Sequence, residues 1–114
     1  MDLYTLLKPS LESLVKEINA VNHSWKLAIE MFDNHHPLSQ SLSDLKVRLQ
    51  VILLRNYAHN FVYLIEDNDT KSDEPLYSLQ LIFIGDKYKD AAHVPIRVAK
   101  EILSSEEITN FSKS

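Results

Sequence analysis

The side chains that could perform acid–base chemistry in this sequence are two histidines and a few carboxylates. General acid–base catalysis requires titratable groups held together in a pocket. The candidates are spread along the second half of the chain, at His59, Glu66, Asp86, Asp90 and His93. No spacing among them forces two of these groups together, so the sequence favours a protein that is not an enzyme.

Two other groupings have some features of metal sites. Adjacent His35 and His36 precede Pro37, but a zinc site needs three or four converging ligands, and the sequence has no HExxH or similar spaced set. We interpret the pair as a polar helix end. The acidic tract within 67–74 lacks the central glycine and the spaced glutamate of an EF-hand loop. We therefore expect no metal ion and no other cofactor.

One short segment has a pattern that is known from RNA-cleaving enzymes. The run Arg55-Asn56-Tyr57-Ala58-His59 resembles the Arg-Asn-…-His signature of the HEPN ribonucleases, helical proteins in which the arginine and histidine act on RNA phosphates. The resemblance covers these five residues only. Three residues separate Arg55 from His59, where the family has four to six, and the motif requires a helix. It implies, as an alternative function, a small ribonuclease that uses Arg55 and His59.

Composition excludes several other kinds of site. The chain contains no cysteine, which removes disulfides, thiolate metal sites and cysteine nucleophiles. Its single glycine, Gly85, is too few for the phosphate-binding loops that need the backbone to approach a phosphate closely. The net charge of -4 and the lack of a basic run argue against a protein that mainly coats nucleic acid or an anionic membrane.

Length and hydropathy set the expected organisation and location. The 114 residues suit one compact domain, which we assign to 1–114. We identify no signal peptide and no apolar stretch near the roughly 18 residues that a membrane span needs. We therefore expect a cytoplasmic protein with no membrane contact.

An amphipathic N-terminal helix is the clearest predicted element. From Ser10 to Phe32, apolar residues recur at spacings of three and four. They are Leu11, Leu14, Val15, Ile18, Val21, Trp25, Ala28, Ile29 and Phe32. Pro9 either kinks this helix or separates it from an earlier turn. We expect the helix to pack on a sheet.

Three stretches have the patterning of strands. Residues 46–55 alternate, with Val47, Leu49, Val51 and Leu53 on one side. Residues 61–67 are rich in β-branched and aromatic side chains, and residues 76–85 alternate again. We predict an α+β fold of two layers, with the long N-terminal helix, a three-stranded antiparallel meander of these stretches, and a C-terminal helix or helices.

An all-α helical bundle is the alternative fold. Ser41 and Asp44 have the spacing of a capping box, so one helix could run from there to about Ile65. The polar residues of 46–60 would then lie almost all the way round that helix, which favours the strands. After the sheet, Pro95 is predicted at the first position of the last helix, and Ser104 or Ser105 is predicted to cap a short terminal helix.

Two apolar surfaces are predicted to be open to a partner. Leu27 and Met31 lie one turn apart on the side of the N-terminal helix opposite its apolar stripe. The second face of the predicted sheet gathers further apolar side chains at one end, where we expect exposure. They are Ile52, Leu54, Val62, Leu64, Ile82 and Ile84.

These surfaces lead to the predicted function. We expect a small acidic protein-binding module, of the chaperone, immunity or antitoxin-like, or regulatory adaptor kind, that masks or positions a partner protein. A homodimer through the sheet or the Leu27/Met31 face is an additional hypothesis. A nucleic-acid-binding protein is a further alternative, and it would place Arg48, Arg55 and Arg97 on one surface with nearby lysines and aromatic side chains.

Overall fold

The computed structural model describes residues 3–68, 71–82 and 89–113, and for residues 3–9 the backbone alone. The elements are α1 (Leu3–Met31), α2 (Pro37–Tyr57), β1 (Val62–Asp67), β2 (Leu76–Leu81), β3 (Asp90–Pro95), α3 (Ile96–Ile102) and α4 (Ser105–Phe111). The strands form one antiparallel sheet in the order β1-β2-β3. The predicted α+β class, with a three-stranded meander between N-terminal and C-terminal helices, is confirmed, and the all-α alternative is wrong.

The N-terminal helix is longer than the predicted span and is continuous through Pro9. The side of this helix that was predicted to face inward is fully buried at Leu11, Val15 and Ile18. The helix packs along α2 and against β3. The expectation that α1 packs on a sheet is met at β3 only, because the segment with Val47, Leu49 and Val51, which was predicted to be a strand under α1, is part of α2.

The largest departure from the favoured prediction is the segment 46–55, which is helical, as the alternative interpretation had it for these residues. α2 begins at Pro37, and the Leu38 amide donates to the His36 Nδ1 atom at 3.1 Å. The His36 ring stacks on Phe32 with ring centroids 4.4 Å apart. His36 therefore caps the start of α2, whereas the sequence analysis assigned it to the end of the preceding helix.

The first predicted strand is not part of the sheet, and a segment later in the sequence supplies the third strand instead. The predicted second and third strands are β1 and β2, which pair without a shift from Val62↔Leu81 to Asp67↔Leu76. The third observed strand, β3, lies between the end of the predicted sheet and the predicted last helix, and it takes in Pro95. Its beginning is irregular, because Ala92 has a φ of 64° and its amide donates to Asp90 Oδ1 at 3.0 Å. Because of this irregularity, buried and half-buried side chains do not alternate regularly along β3. Regular alternation is the pattern by which a strand is recognised in a sequence.

The C-terminal helices close the other end of the core. Pro95 is the residue before α3 and not its first residue, so that detail of the prediction is wrong. The predicted cap of the terminal helix is confirmed at Ser104, whose Oγ accepts from the Glu107 amide at 3.0 Å. After α4, the Lys113 amide donates to the Leu64 carbonyl at 3.0 Å, so the chain end lies along the outer edge of β1. None of the described helices is long and apolar enough to cross a membrane.

Candidate protein interface

The outward side of α2 carries a row of exposed apolar residues. Leu38, Leu45 and Ile52 recur every seven residues and are 46%, 40% and 46% exposed. Half-buried Leu42 and Leu49 lie between them, so the steps along the row are four, three, four and three residues. This is the spacing by which one helix packs on another in a coiled coil. We call these five residues the α2 stripe.

The sequence analysis missed the α2 stripe, although its spacing is visible in the sequence. The steps of four and three begin at Leu38, eight residues before the segment that was assigned to a strand. The alternation of Val47, Leu49, Val51 and Leu53 divided the row between two predicted elements. Extending the periodicity search toward the N-terminus, past Ser41, would have identified it.

The inward side of α2 carries polar residues. Ser39, Lys46 and Gln50 are only 1%, 4% and 1% exposed. The Gln50 Nε2 atom donates to the Ala91 carbonyl at 2.9 Å and to the His93 carbonyl at 3.2 Å. Since β3 is an edge strand, this amide occupies two backbone acceptors that would otherwise be open to another strand. The bonds also orient α2, because Gln50 must face the sheet.

Lys46 fixes the contact between α2 and α1. Its Nζ atom lies 3.9 Å from the centroid of the Trp25 ring and donates to Asn22 Oδ1 at 3.4 Å. In the described part of the chain, Lys46 forms no ion pair. Burial, and then the nearby Lys26 ammonium, lower the pKa of Lys46 to about 8. With Lys46 and Gln50 both facing inward one turn apart, the α2 stripe is turned toward solvent.

The residues predicted to bind a partner lie on different elements of the structure. Leu27 and Met31 are 45% and 72% exposed on α1, and Ile52 and Ile82 are 46% and 48% exposed. Ile84 lies outside the described residues. The expected surface on the second face of the sheet is not assembled, because one of its predicted strands is a helix.

Three of the predicted partner-binding residues are part of the core. Leu54, Val62 and Leu64 are 2%, 0% and 1% exposed, so their assignment to an exposed patch is wrong. Leu54 lies on the inward side of α2, and β1 directs Val62 and Leu64 toward the helices. Once 46–55 forms a helix, it covers the side of the sheet that was expected to be open.

Arg55 has a structural partner. Its Nε atom lies 2.9 Å from Glu107 Oε2, and its Nη2 atom lies 3.2 Å from Glu107 Oε1. The pair lowers the pKa of the Glu107 carboxyl and raises that of Arg55. It joins the end of α2 to α4. His59 is exposed beyond the end of α2, so only the first part of the resemblance to HEPN ribonucleases is helical.

Another of the arginines required by the nucleic-acid alternative is also paired with carboxylates. Arg97 Nε lies 3.4 Å from Glu74 Oε1, and its Nη1 atom lies 3.8 Å from Glu101 Oε1. The Lys113 ammonium lies over the Tyr63 ring, 5.4 Å from its centroid. The carboxylates beside Arg55 and Arg97 offset the charge that these two arginines would otherwise present to phosphates, whereas Lys113 keeps its charge.

The sheet carries one acid–base pair that the sequence analysis did not predict. His93 Nε2 on β3 lies 2.7 Å from Asp67 Oδ2 on β1, across the intervening β2. Ser78 is the neighbour of His93 on β2, but it is 1% exposed and its Oγ accepts from Gln80 Nε2 at 2.6 Å. The serine is therefore not presented to a substrate. The pair fastens β1 to β3, and only the strand register could have revealed it.

The arrangement of possible metal ligands and the comparison with known proteins do not assign a function to this chain. Within the residues that the structure describes, no group of three or more histidine, aspartate or glutamate side chains is arranged to hold a metal ion. No protein-family model, no curated protein and no solved structure compared with this chain matches it. Its function must be inferred from the geometry of its own residues.

Proposed function

We propose that this protein is a small protein-binding module that masks or positions a partner through the α2 stripe. The observation that carries the proposal is that α2 exposes a row with Leu38, Leu45 and Ile52, although it buries Lys46 and Gln50 beside the apolar residues of its inward side. A helix that served only to cover the core would have the opposite arrangement.

The apolar side chains of the α2 stripe are still partly exposed, so their further burial by a partner would be favourable, and this supports an interface. Burying a leucine or isoleucine side chain fully stabilises a protein by about 1.5–3 kcal/mol. Since Leu38, Leu45 and Ile52 retain 40–46% of their exposure, each could contribute roughly another 1 kcal/mol on contact with a partner. Leu42 and Leu49 add to this, because they lie between the three exposed side chains.

The spacing of the stripe also indicates the form of the partner surface. Apolar residues at steps of four and three fit between the side chains of another helix. The contact would be of the helix-in-groove kind, in which anchors at such spacings provide most of the affinity. The roles of a chaperone, an immunity or antitoxin-like protein, and a regulatory adaptor are all compatible with such a surface.

Affinity purification with matched variants tests this proposal. The full chain is purified from cells that naturally produce it, together with Leu45→Gln and Leu27→Gln, and bound proteins are quantified by mass spectrometry. Leu27 is a matched control, because it is exposed to 45% and Leu45 to 40%, but on a different helix. Glutamine has a helix propensity close to that of leucine, so both helices should persist.

We expect a partner that binds wild type and Leu27→Gln, with binding to Leu45→Gln reduced by about tenfold or more. A second, differently tagged copy of this chain counts as a partner. A partner that binds all three proteins equally would contradict the proposal, as would one that is lost only with Leu27→Gln. Circular dichroism of each variant shows that its helical content is unchanged.

A further inference from the structure

We propose that the partner of the α2 stripe is the same stripe on a second copy of this chain, with the two α2 helices antiparallel. The inference rests on the proposed function, because it names what the stripe binds. It is carried by the spacing of the stripe, by the burial of one flank of the stripe and by the charges on the other.

The spacing of the stripe is self-complementary. When two such helices run antiparallel, four of the five residues of one row pack beside residues of the other row, and Leu38 lies beside Asn56. With the two-fold axis at the level of residue 47, Leu45 of one copy lies beside Leu49 of the second, and Leu42 lies beside Ile52. The axis repeats each contact, so one surface serves both copies and the assembly is closed at two chains.

The flanks of the stripe determine that the helices are antiparallel. On one flank, Ser39, Lys46 and Leu53 are 1%, 4% and 0% exposed. On the other flank, Arg48 and Arg55 are exposed. In a parallel pair, the open flank of each helix would face the buried flank of the other, where Lys46 lies under Trp25. In an antiparallel pair, the two open flanks face each other, so that their charges can pair, and the two buried flanks, each covered by α1 of its own copy, face each other on the opposite side.

The charges on the open flank attract one another in the antiparallel arrangement. Asp44 and Arg48 are both exposed. With the axis at residue 47, Asp44 of one copy and Arg48 of the second are offset by two residues, about 3 Å along the helix, which is within the reach of an arginine side chain. The two Arg48 side chains also approach each other, and the two Asp44 carboxylates offset that repulsion. Charges of this kind select the partner and its orientation more than they add affinity.

The size of the contact sets the expected strength. From Leu38 to Ile52 the stripe spans about 21 Å of helix. This is a short contact, so we expect a reversible dimer of micromolar affinity that dissociates on dilution.

Charge reversal tests both the partner and the orientation. Self-association of the full chain is measured by analytical ultracentrifugation for wild type, Asp44→Lys and Arg48→Asp. Each variant alone gives positions 44 and 48 of the two facing flanks charges of one sign, so we expect its dimer Kd to rise about tenfold or more. In an equimolar mixture, the cations at positions 44 and 48 of one variant face the anions at the same positions of the other. We expect dimerisation to return to at least the wild-type level, with a one-to-one composition by native mass spectrometry.

Two controls separate this inference from the proposed function. Leu27→Gln should leave the dimer Kd unchanged, and Leu45→Gln should raise it. Wild type that remains monomeric up to a concentration on the order of 1 mM would overturn the inference. The proposed function would still stand if another protein bound wild type but not Leu45→Gln. A mixture that dimerises no better than its separate components would overturn the antiparallel pairing, and the rescue itself shows that both variants are folded.

Discussion

Replacing Lys46 with methionine should stabilise the protein at neutral pH and remove part of the pH dependence of its stability. Methionine is unbranched and only one heavy atom shorter than lysine, and its thioether can contact the Trp25 ring, but it carries no charge. The Lys46 ammonium is buried, and its pKa is lowered from 10.5 to about 8 in the folded protein, first by burial and then by Lys26. The folded state therefore holds this proton less tightly than the unfolded chain does.

The difference between the two pKa values gives the magnitude. Each pKa unit corresponds to about 1.4 kcal/mol, so charging Lys46 costs the folded state at most about 3 kcal/mol. Contact of the charged ammonium with the Trp25 ring, worth up to about 2 kcal/mol when desolvated, favours the charged form and opposes this cost. Burial is the larger effect. A net penalty of about 1–3 kcal/mol is therefore expected below pH 8, where Lys46 is charged in both states.

The sign of the pH dependence follows from the lowered pKa. Between pH 8 and pH 10.5 the unfolded chain binds more protons than the folded protein, so stability rises with pH in this range. Urea unfolding, followed by Trp25 fluorescence from pH 7 to pH 10.5, should show Lys46→Met more stable than wild type at pH 7. The advantage should shrink by about 1–3 kcal/mol toward pH 10.5.

Exposed Lys16 supplies the matched control, because Lys16→Met removes the same charge from the surface of α1. Its unfolding free energy should remain parallel to that of wild type across the pH range. If the curves for Lys46→Met and wild type were parallel instead, or if NMR titration gave Lys46 a pKa at or above 10.5, the reasoning from burial would be refuted.

Other substitutions test the core, the edge of the sheet and the last helix, each by urea unfolding at pH 7. Leu54→Ala should cost about 2–5 kcal/mol because Leu54 is buried, whereas exposed Ile52→Ala should cost less than about 1 kcal/mol; equal losses would contradict the assignment of faces on α2. Gln50→Leu should cost about 1–3 kcal/mol, since it leaves the Ala91 and His93 carbonyls without their donor, and an unchanged stability would show that water replaces the amide. Ser104→Ala should cost about 1 kcal/mol through loss of the cap of α4, and Ser104→Gly less.

Some elements could be predicted because their signals are local. The period of α1 is set by Leu11, Val15 and Ile18, which need only an apolar surface to face. The cap at Ser104 depends on a residue three positions along the chain. The strands β1 and β2 follow from β-branched and alternating side chains. In each case, the residues that determine the structure are close together in the sequence.

The spacing of the α2 stripe is visible in the sequence, but its exposure could not be predicted, because it depends on distant contacts. Alternation in 46–55 fits a strand as well as the observed helix, and the decision rests on partners for the polar residues. Lys46 finds the Trp25 ring and Asn22 on α1, and Gln50 finds the carbonyls of β3. These partners satisfy the Lys46 ammonium and the Gln50 Nε2 atom, which reduces the cost of burying them, whereas Ser39 Oγ and Gln50 Oε1 are buried without a partner among the described residues.

By itself, the sequence determined the α+β class, the amphipathic N-terminal helix, the strand character of β1 and β2, and the cap of the final helix. Tertiary structure alone decided which side of α2 is buried, and therefore that Leu38, Leu45 and Ile52 face solvent while Leu54, Val62 and Leu64 form the core. The physical reason is that local patterns report how apolar residues are spaced, whereas the burial of Lys46 and Gln50 depends on partners 21 to 43 residues away.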